Sequence, residues 1–203
     1  MGASTTDMEK QVEIEFLYLD LDLCTRCKGT NDNLETALRT VQEVLQASGA
    51  DVSTRKVLVE SEETARELRF VSSPTIRING RDIALDFRET PCDSCAEACA
   101  CDGSVDCRVW LYEGKEYNEA PVPLIVNAIL SEIHDSRSAD RSASSRSFEL
   151  PENLKHFFEA KAAKESAKSC CTAEEKATCC SPSEKSSCRG SGEQGTAATC
   201  GCQ

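Results

Sequence analysis

An apolar alternation, a helical repeat and a β-branched run follow one another at the start of this chain, and their order leaves little topological freedom. Val12, Ile14, Phe16 and Tyr18 alternate with Glu13, Glu15 and Leu17, which predicts a strand with one apolar face. Leu34, Leu38, Val41 and Leu45 recur at helical spacing, with Asp32 and Glu35 placed as a capping box and Gly49 as the stop. Residues 52–59 are rich in β-branched side chains and read as a second strand. A helix joins the two strands, so they run parallel. Ser61 then caps a short helix carrying Ala65 and Leu68. Residues 75–78 and 82–85 flank Asn79-Gly80 as a hairpin. A further strand lies near residues 109–112, and residues 122–133 form a last helix with Pro123 in its first turn. The order β-α-β-α-β-β-α describes a small α/β sandwich over residues 10–134.

Beyond residue 134 the composition changes. Residues 1–134 carry 13 basic and 25 acidic side chains, whereas residues 135–203 carry 10 of each, so the whole net charge of −12 belongs to the first part. The second part is mostly Ser, Ala, Lys, Glu, Gly and Cys, too few apolar groups to offset the entropy of ordering. Residues 135–147 read as a flexible linker and residues 169–203 as a disordered, cysteine-rich tail. Between them Pro151 starts a short helix over residues 148–168, with Leu154, Phe157 and Phe158 on one face, suited to docking on the domain or a partner. An acidic chain repels nucleic-acid backbones and anionic membranes, so neither is expected as a partner. Residues 1–11 are polar and lack an apolar signal core, which points to the cytoplasm.

Fourteen cysteines carry the chemistry, in three groups. Cys24 and Cys27 form a C-x-x-C after the first strand, able to exchange disulfides or to share one soft ion. Arg26 and Lys28 favour their thiolates, while Asp20 and Asp22 oppose them. Gly29 and the cap at Asp32 place this pair on a loop ahead of the helix. Cys92, Cys95, Cys99, Cys101 and Cys107 form the second group, in an insertion at about 90–108. Pro91 to Cys95 sets a second C-x-x-C on a loop, and Cys99-Ala100-Cys101 can converge in a turn. Four such thiolates suit tetrahedral zinc, and the same set could hold an iron–sulfur cluster; the bland reading is disulfide pairing or one structural zinc, the sharper one a soft-metal site whose occupancy varies. The third group is Cys170, Cys171, Cys179, Cys180, Cys188, Cys200 and Cys202 in the tail. Vicinal thiols in a segment with no core suit a soft ion better than packing. His134 and His156 lie away from the core cysteines, so a Cys–His hydrolytic dyad has no candidate.

Cys24-Thr25-Arg26-Cys27 after the first strand, Val71-Ser72-Ser73-Pro74-Thr75-Ile76 entering the third, and Asn79-Gly80 in the hairpin together resemble the thioredoxin superfamily. Residues 10–134 are most similar to an uncharacterised cysteine-rich bacterial and archaeal branch of it, a domain of unknown function. The resemblance implies a cis Pro74 facing the paired cysteines, with Cys24 as nucleophile and Cys27 as resolver if the pair is redox-active. Leu23 before the pair and Thr25-Arg26 within it depart from the aromatic residue and Gly-Pro of familiar redox members. The tail is something a plain redox enzyme does not need. The expected function is therefore binding or transfer of a soft metal or metalloid (arsenite, mercury, copper or zinc), in exchange with a redox or metal-transfer protein. Thiol–disulfide oxidoreduction is the alternative and iron–sulfur electron transfer the third.

Overall fold

The computed structural model describes residues 10–84, 86–101, 105–134 and 148–168. The chain divides into two units, Met1–Ala162 and Ala163–Gln203. Of the second, only the end of a helix is described. The linker at 135–147 and the tail at 169–203 lie outside the described residues.

The first strand, β1 (Lys10–Tyr18), is followed by helix α1 (Thr25–Ala47) and strand β2 (Ala50–Leu58), and the two strands pair parallel in register from Lys10↔Ala50 to Tyr18↔Leu58. Helix α2 (Glu62–Glu67) starts at Ser61, whose hydroxyl accepts from the Thr64 amide at 3.2 Å. Strand β3 (Thr75–Ile78) returns antiparallel beside β1, and the short β4 (Arg81–Asp82) completes a sheet ordered β2-β1-β3-β4. The expected hairpin arm at 82–85 is thus cut to two residues. The Asp82 carboxylate accepts from the Ala84 amide at 2.9 Å and folds the chain away from the ladder.

Residues 90–108, expected as an insertion of loops, belong instead to a second sheet and a short helix. Strands β5 (Phe87–Cys92), β6 (Val105–Tyr112) and β7 (Lys115–Tyr117) pair antiparallel in that order, with helix α3 (Asp93–Cys99) between the first two. Cysteine obscures these strands in the sequence because a buried thiol packs as a small hydrophobe. Cys92 and Cys107 occupy inward positions that would otherwise read as Val or Ile. Helix α4 (Val122–His134) follows, and α5 (Glu152–Lys168) starts after Pro151, whose carbonyl accepts from Leu154 and Lys155.

Two apolar clusters result. One lies between the first sheet and helices α1 and α4: Val12, Ile14, Phe16, Leu34, Val41, Ile76, Ile125 and Ile129, with Trp110. The other takes the opposite face of β1 through Leu17 and Leu19, and joins them to the core cysteines, Phe70, and Leu150, Leu154, Phe157 and Phe158 of the α5 region. The single apolar face expected for β1 is therefore corrected: both faces are covered at its end, and Glu15 on the second face pairs with Arg55. Arg108 ties the two sheets together. It is fully buried, donates to both Asp82 carboxylate oxygens at 2.9 and 2.8 Å, and lies 4.2 Å from the centre of the Phe87 ring. Its own amide donates to the Ser73 carbonyl at 2.7 Å. A buried guanidinium is tolerable only with such a bidentate partner. This anchoring brings β6 against the loop before β3.

Candidate metal centre

Cys24 is the residue on which α1 begins. Its backbone is extended (φ −74°, ψ 105°), and its sulfur accepts from the Cys27 amide at 3.4 Å. This corrects the expectation of a loop start, with the cap at Asp32. Gly29 lies inside the helix, with the end of the exposed Glu119 side chain folded over its open face. The glycine permits a close approach and does not mark an end. The sulfur of Cys24 accordingly sits at the positive end of a 23-residue helix, where a thiolate is favoured.

Three more sulfurs converge on it. Cys92 ends β5 and precedes α3, Cys95 lies in the first turn of α3, and Cys107 points inward from β6. Cys95 Sγ is 3.2 Å from Cys24 Sγ and 2.9 Å from Cys107 Sγ, and the four sulfurs all lie within 4.8 Å of one another. All four residues are buried. Arg26, one residue into α1, holds the two halves together. Its guanidinium donates to the Thr90 hydroxyl (2.9 Å), the Cys107 carbonyl (3.1 Å) and the Pro91 carbonyl (2.9 Å). By sequence Arg26 is a charge beside a thiolate; in the structure it binds α1 to β5 and β6. No signal in the sequence separates the two roles.

The four thiols share charge unequally. Hydrogen bonds from Cys107 first, then Cys27, Cys92 and Cys95, hold Cys24 far below the usual thiol range. Cys92 is pushed down to about 7, chiefly by Cys107. Cys95 and Cys107 are pushed up, Cys95 chiefly by its hydrogen bond with Cys107 and Cys107 chiefly by its bond with Cys24, with burial adding to both. The group thus behaves as one thiolate cradled by thiols that donate to it. Such a set can hold a metal ion. Tetrahedral zinc with Zn–S of ≈ 2.3 Å spaces its sulfurs about 3.8 Å apart, within the 4.8 Å that bounds the separations here.

The other expected site residues fall elsewhere. Cys27 is buried with its sulfur 3.3 Å from the Ser73 hydroxyl, and it is raised well above the ordinary range by Cys24 and by burial. Ser73 also accepts from the Leu19 amide at 3.3 Å. The Ser73–Pro74 peptide bond is cis, and Pro74 is buried beside this contact. Cys99 and Cys101 are joined to each other as a disulfide, apart from the four-sulfur group. Cys170, Cys171, Cys179, Cys180, Cys188, Cys200 and Cys202 lie outside the described residues.

α5 closes the site from one side. Leu150, Leu154, Phe157 and Phe158 pack in the same cluster as the cysteines. Asn153 brackets the backbone of Asp106, accepting from its amide at 2.9 Å and donating to its carbonyl at 2.7 Å, one residue from Cys107. The face carrying Leu154 and Phe157 was legible as a docking face; its target was not. Among the described residues no helix is long and apolar enough to cross a membrane.

No curated protein and no solved structure matches the chain. The model of a family described as a domain of unknown function (DUF2703) matches residues 12–129, more than half of the sequence and nearly all of the cysteine-bearing fold, and the chain belongs to that family.

Proposed function

We propose that this chain is a thiol-based protein that binds or transfers a soft metal or metalloid ion (zinc, copper, mercury or arsenite) on a thioredoxin-like fold. The observation that carries the reading is the convergence of Cys24, Cys92, Cys95 and Cys107 within 4.8 Å. A set of thiol donors selects soft ions over calcium or magnesium. The spacing favours a single ion over an iron–sulfur cluster, in which cysteines divided among several irons stand further apart. The thioredoxin-like reading rests on the parallel β1–β2 pair with β3 antiparallel, and on the proline loop beside Cys27. The seven tail cysteines would add soft donors on the same chain, and a redox or metal-transfer protein would exchange ions with it in the cytoplasm.

The test is titration of anaerobically purified full-length protein, its tail cysteines replaced by serine, with Zn(II), Cd(II) and arsenite, followed by native mass spectrometry. One ion per chain is expected to be retained tightly. Binding must also displace protons, because ligating sulfurs are thiolates. Cys95 and Cys107 enter protonated and Cys92 about half so, while Cys24 enters as thiolate. About two to three protons should therefore leave per zinc at pH 7, measurable by calorimetry in buffers of different ionisation enthalpy. Affinity should fall as pH drops, by about two powers of ten per pH unit above pH 7, where protons on Cys95 and Cys107 must be displaced, and by about three below it, where Cys92 is protonated too. Failure to retain any ion sinks the reading.

Thiol–disulfide exchange, with Cys24 attacking and Cys27 resolving, is the second reading. The hydrogen bond from the Cys27 amide to Cys24 Sγ and the depressed Cys24 thiol favour it. Both sulfurs, however, are fully buried, and a protein disulfide needs access to the attacking one. Insulin reduction that is equal in wild type and Cys24→Ser, or absent from both, eliminates it.

A further inference from the structure

Cys99 and Cys101 lie outside the four-sulfur group but on the element that builds it. Cys99 ends α3 four residues after Cys95, so the two side chains share one helix face, and both are fully buried in the same cluster. The helix stops in a Schellman turn: the Cys101 amide donates to the Ala96 carbonyl at 3.0 Å and the Ala100 amide to the Glu97 carbonyl at 3.2 Å. Ala100 takes the left-handed conformation this requires (φ 55°), a place that favours glycine. The turn brings Cys101 back to a Cα separation of 5.1 Å from Cys99, with the sulfurs joined. Cys101 is only half-buried. The sulfur pair thus runs from the protein surface to one helical turn from Cys95. As a stabilising cross-link it does little, because the entropy removed from the unfolded chain shrinks with the loop closed, and this loop encloses one residue.

We propose that the Cys99–Cys101 couple is a reducible two-sulfur intake site, which takes a soft cation at the surface and passes it along α3 to Cys95. The proposal rests on the metal-binding reading of the four-sulfur group. Activation needs a dithiol reductant. Its thiolate attacks the more accessible Cys101 sulfur, the S–S bond breaks, and the electron pair goes to Cys99, which takes up a proton. The second thiol of the reductant resolves the mixed disulfide, freeing Cys101 and leaving the reductant oxidised by two electrons. The freed pair loses its protons to the solvent as it chelates the cation. Transfer is ligand exchange without redox change: two of the bonds formed, the first to Cys95, displace Cys99 and Cys101, and the other two displace solvent ligands of the cation. The receiving thiols give up their protons as they bind, and the released Cys99 and Cys101 sulfurs regain protons.

The test follows thiolate-to-metal charge-transfer absorption during Cd(II) loading of the full-length chain with its tail cysteines changed to serine. The pre-reduced parent is compared with the disulfide form, with the Cys99→Ser/Cys101→Ser variant and with Cys95→Ser. A cation held beside Cys95 acts at an effective concentration on the order of millimolar, so loading should slow about tenfold or more when the pair is oxidised or replaced. The final tight equivalent should stay the same. Equal loading rates in parent and Cys99→Ser/Cys101→Ser overturn the intake. If Cys95→Ser keeps the tight equivalent, the four-sulfur reading fails instead, and if the parent takes up no Cd(II), both fall. Circular dichroism of each variant distinguishes slow loading from misfolding.

Discussion

Replacing Cys95 by serine should abolish tight binding of a soft ion, while the same change at Cys27 should leave it in place. Cys95 touches both Cys24 and Cys107 within the four-sulfur group. A serine hydroxyl cannot substitute as a soft anionic donor, and three sulfurs leave a tetrahedral ion one ligand short. Losing a residue that merely supports a ligand costs 10–100-fold, so losing a ligand should weaken Zn(II) binding by more than about 100-fold. Cys27 also hydrogen-bonds Cys24, but it is not one of the four converging sulfurs, and its own sulfur lies 3.3 Å from the Ser73 hydroxyl. Competition against a chromophoric chelator measures both variants. Equal losses, or none in either, would mean that the four sulfurs do not act as a ligand set.

The second large effect is expected far along the chain, at Phe157. This ring is wholly buried, stacks edge-on to Phe158 at 5.5 Å between centroids, and belongs to the cluster that encloses the cysteines. Phe157→Ala should destabilise the fold by roughly 3–5 kcal/mol, the usual cost of emptying a buried phenylalanine site. Urea unfolding gives that number. The exposed Glu159 on the same helix supplies the control, because Glu159→Ala should stay within about 0.5 kcal/mol. α5 also covers the site, so Phe157→Ala should speed alkylation of Cys92 and Cys107 in the native state, at denaturant concentrations well below the unfolding transition. Unchanged stability would mean that the helix docks too weakly to matter. Unchanged alkylation with lost stability would mean that it supports the fold without shielding the sulfurs.

Much of the first sheet is legible in the sequence. The β1-α1-β2 order and its parallel pairing follow from alternation, helical spacing and the geometry of a crossover, and they stand in the structure. So do the Ser61 cap, the helix at Val122–His134 and the helical start after Pro151. The start of α1 misled because Gly29 and Asp32 are stop and cap residues by type. The helix starts earlier, at Cys24, whose sulfur caps the Cys27 amide, a capping role that cysteine does not advertise by type. The second sheet was hidden for a different reason: buried positions on it are held by cysteine and by Arg108, whose charge pairs with Asp82 of β4, and neither residue type registers as β pattern.

Residue identity alone determined that sulfur is concentrated in this chain, that its acidic excess lies before residue 135, and that a helix with an aromatic face follows. Only the tertiary structure made this helix part of the packed fold. Which sulfurs act together was decided by tertiary structure. Cys24 could have paired with Cys27, three positions away. Instead, the pairing of β5 with β6, the Arg26 clamp and the bond from Arg108 to the Ser73 carbonyl carry Cys92, Cys95 and Cys107 to it. Spacing along a chain bounds which side chains can meet locally. The choice among distant partners depends on which surfaces bury the most apolar area while keeping every buried charge paired, and that balance is struck only when the whole fold closes.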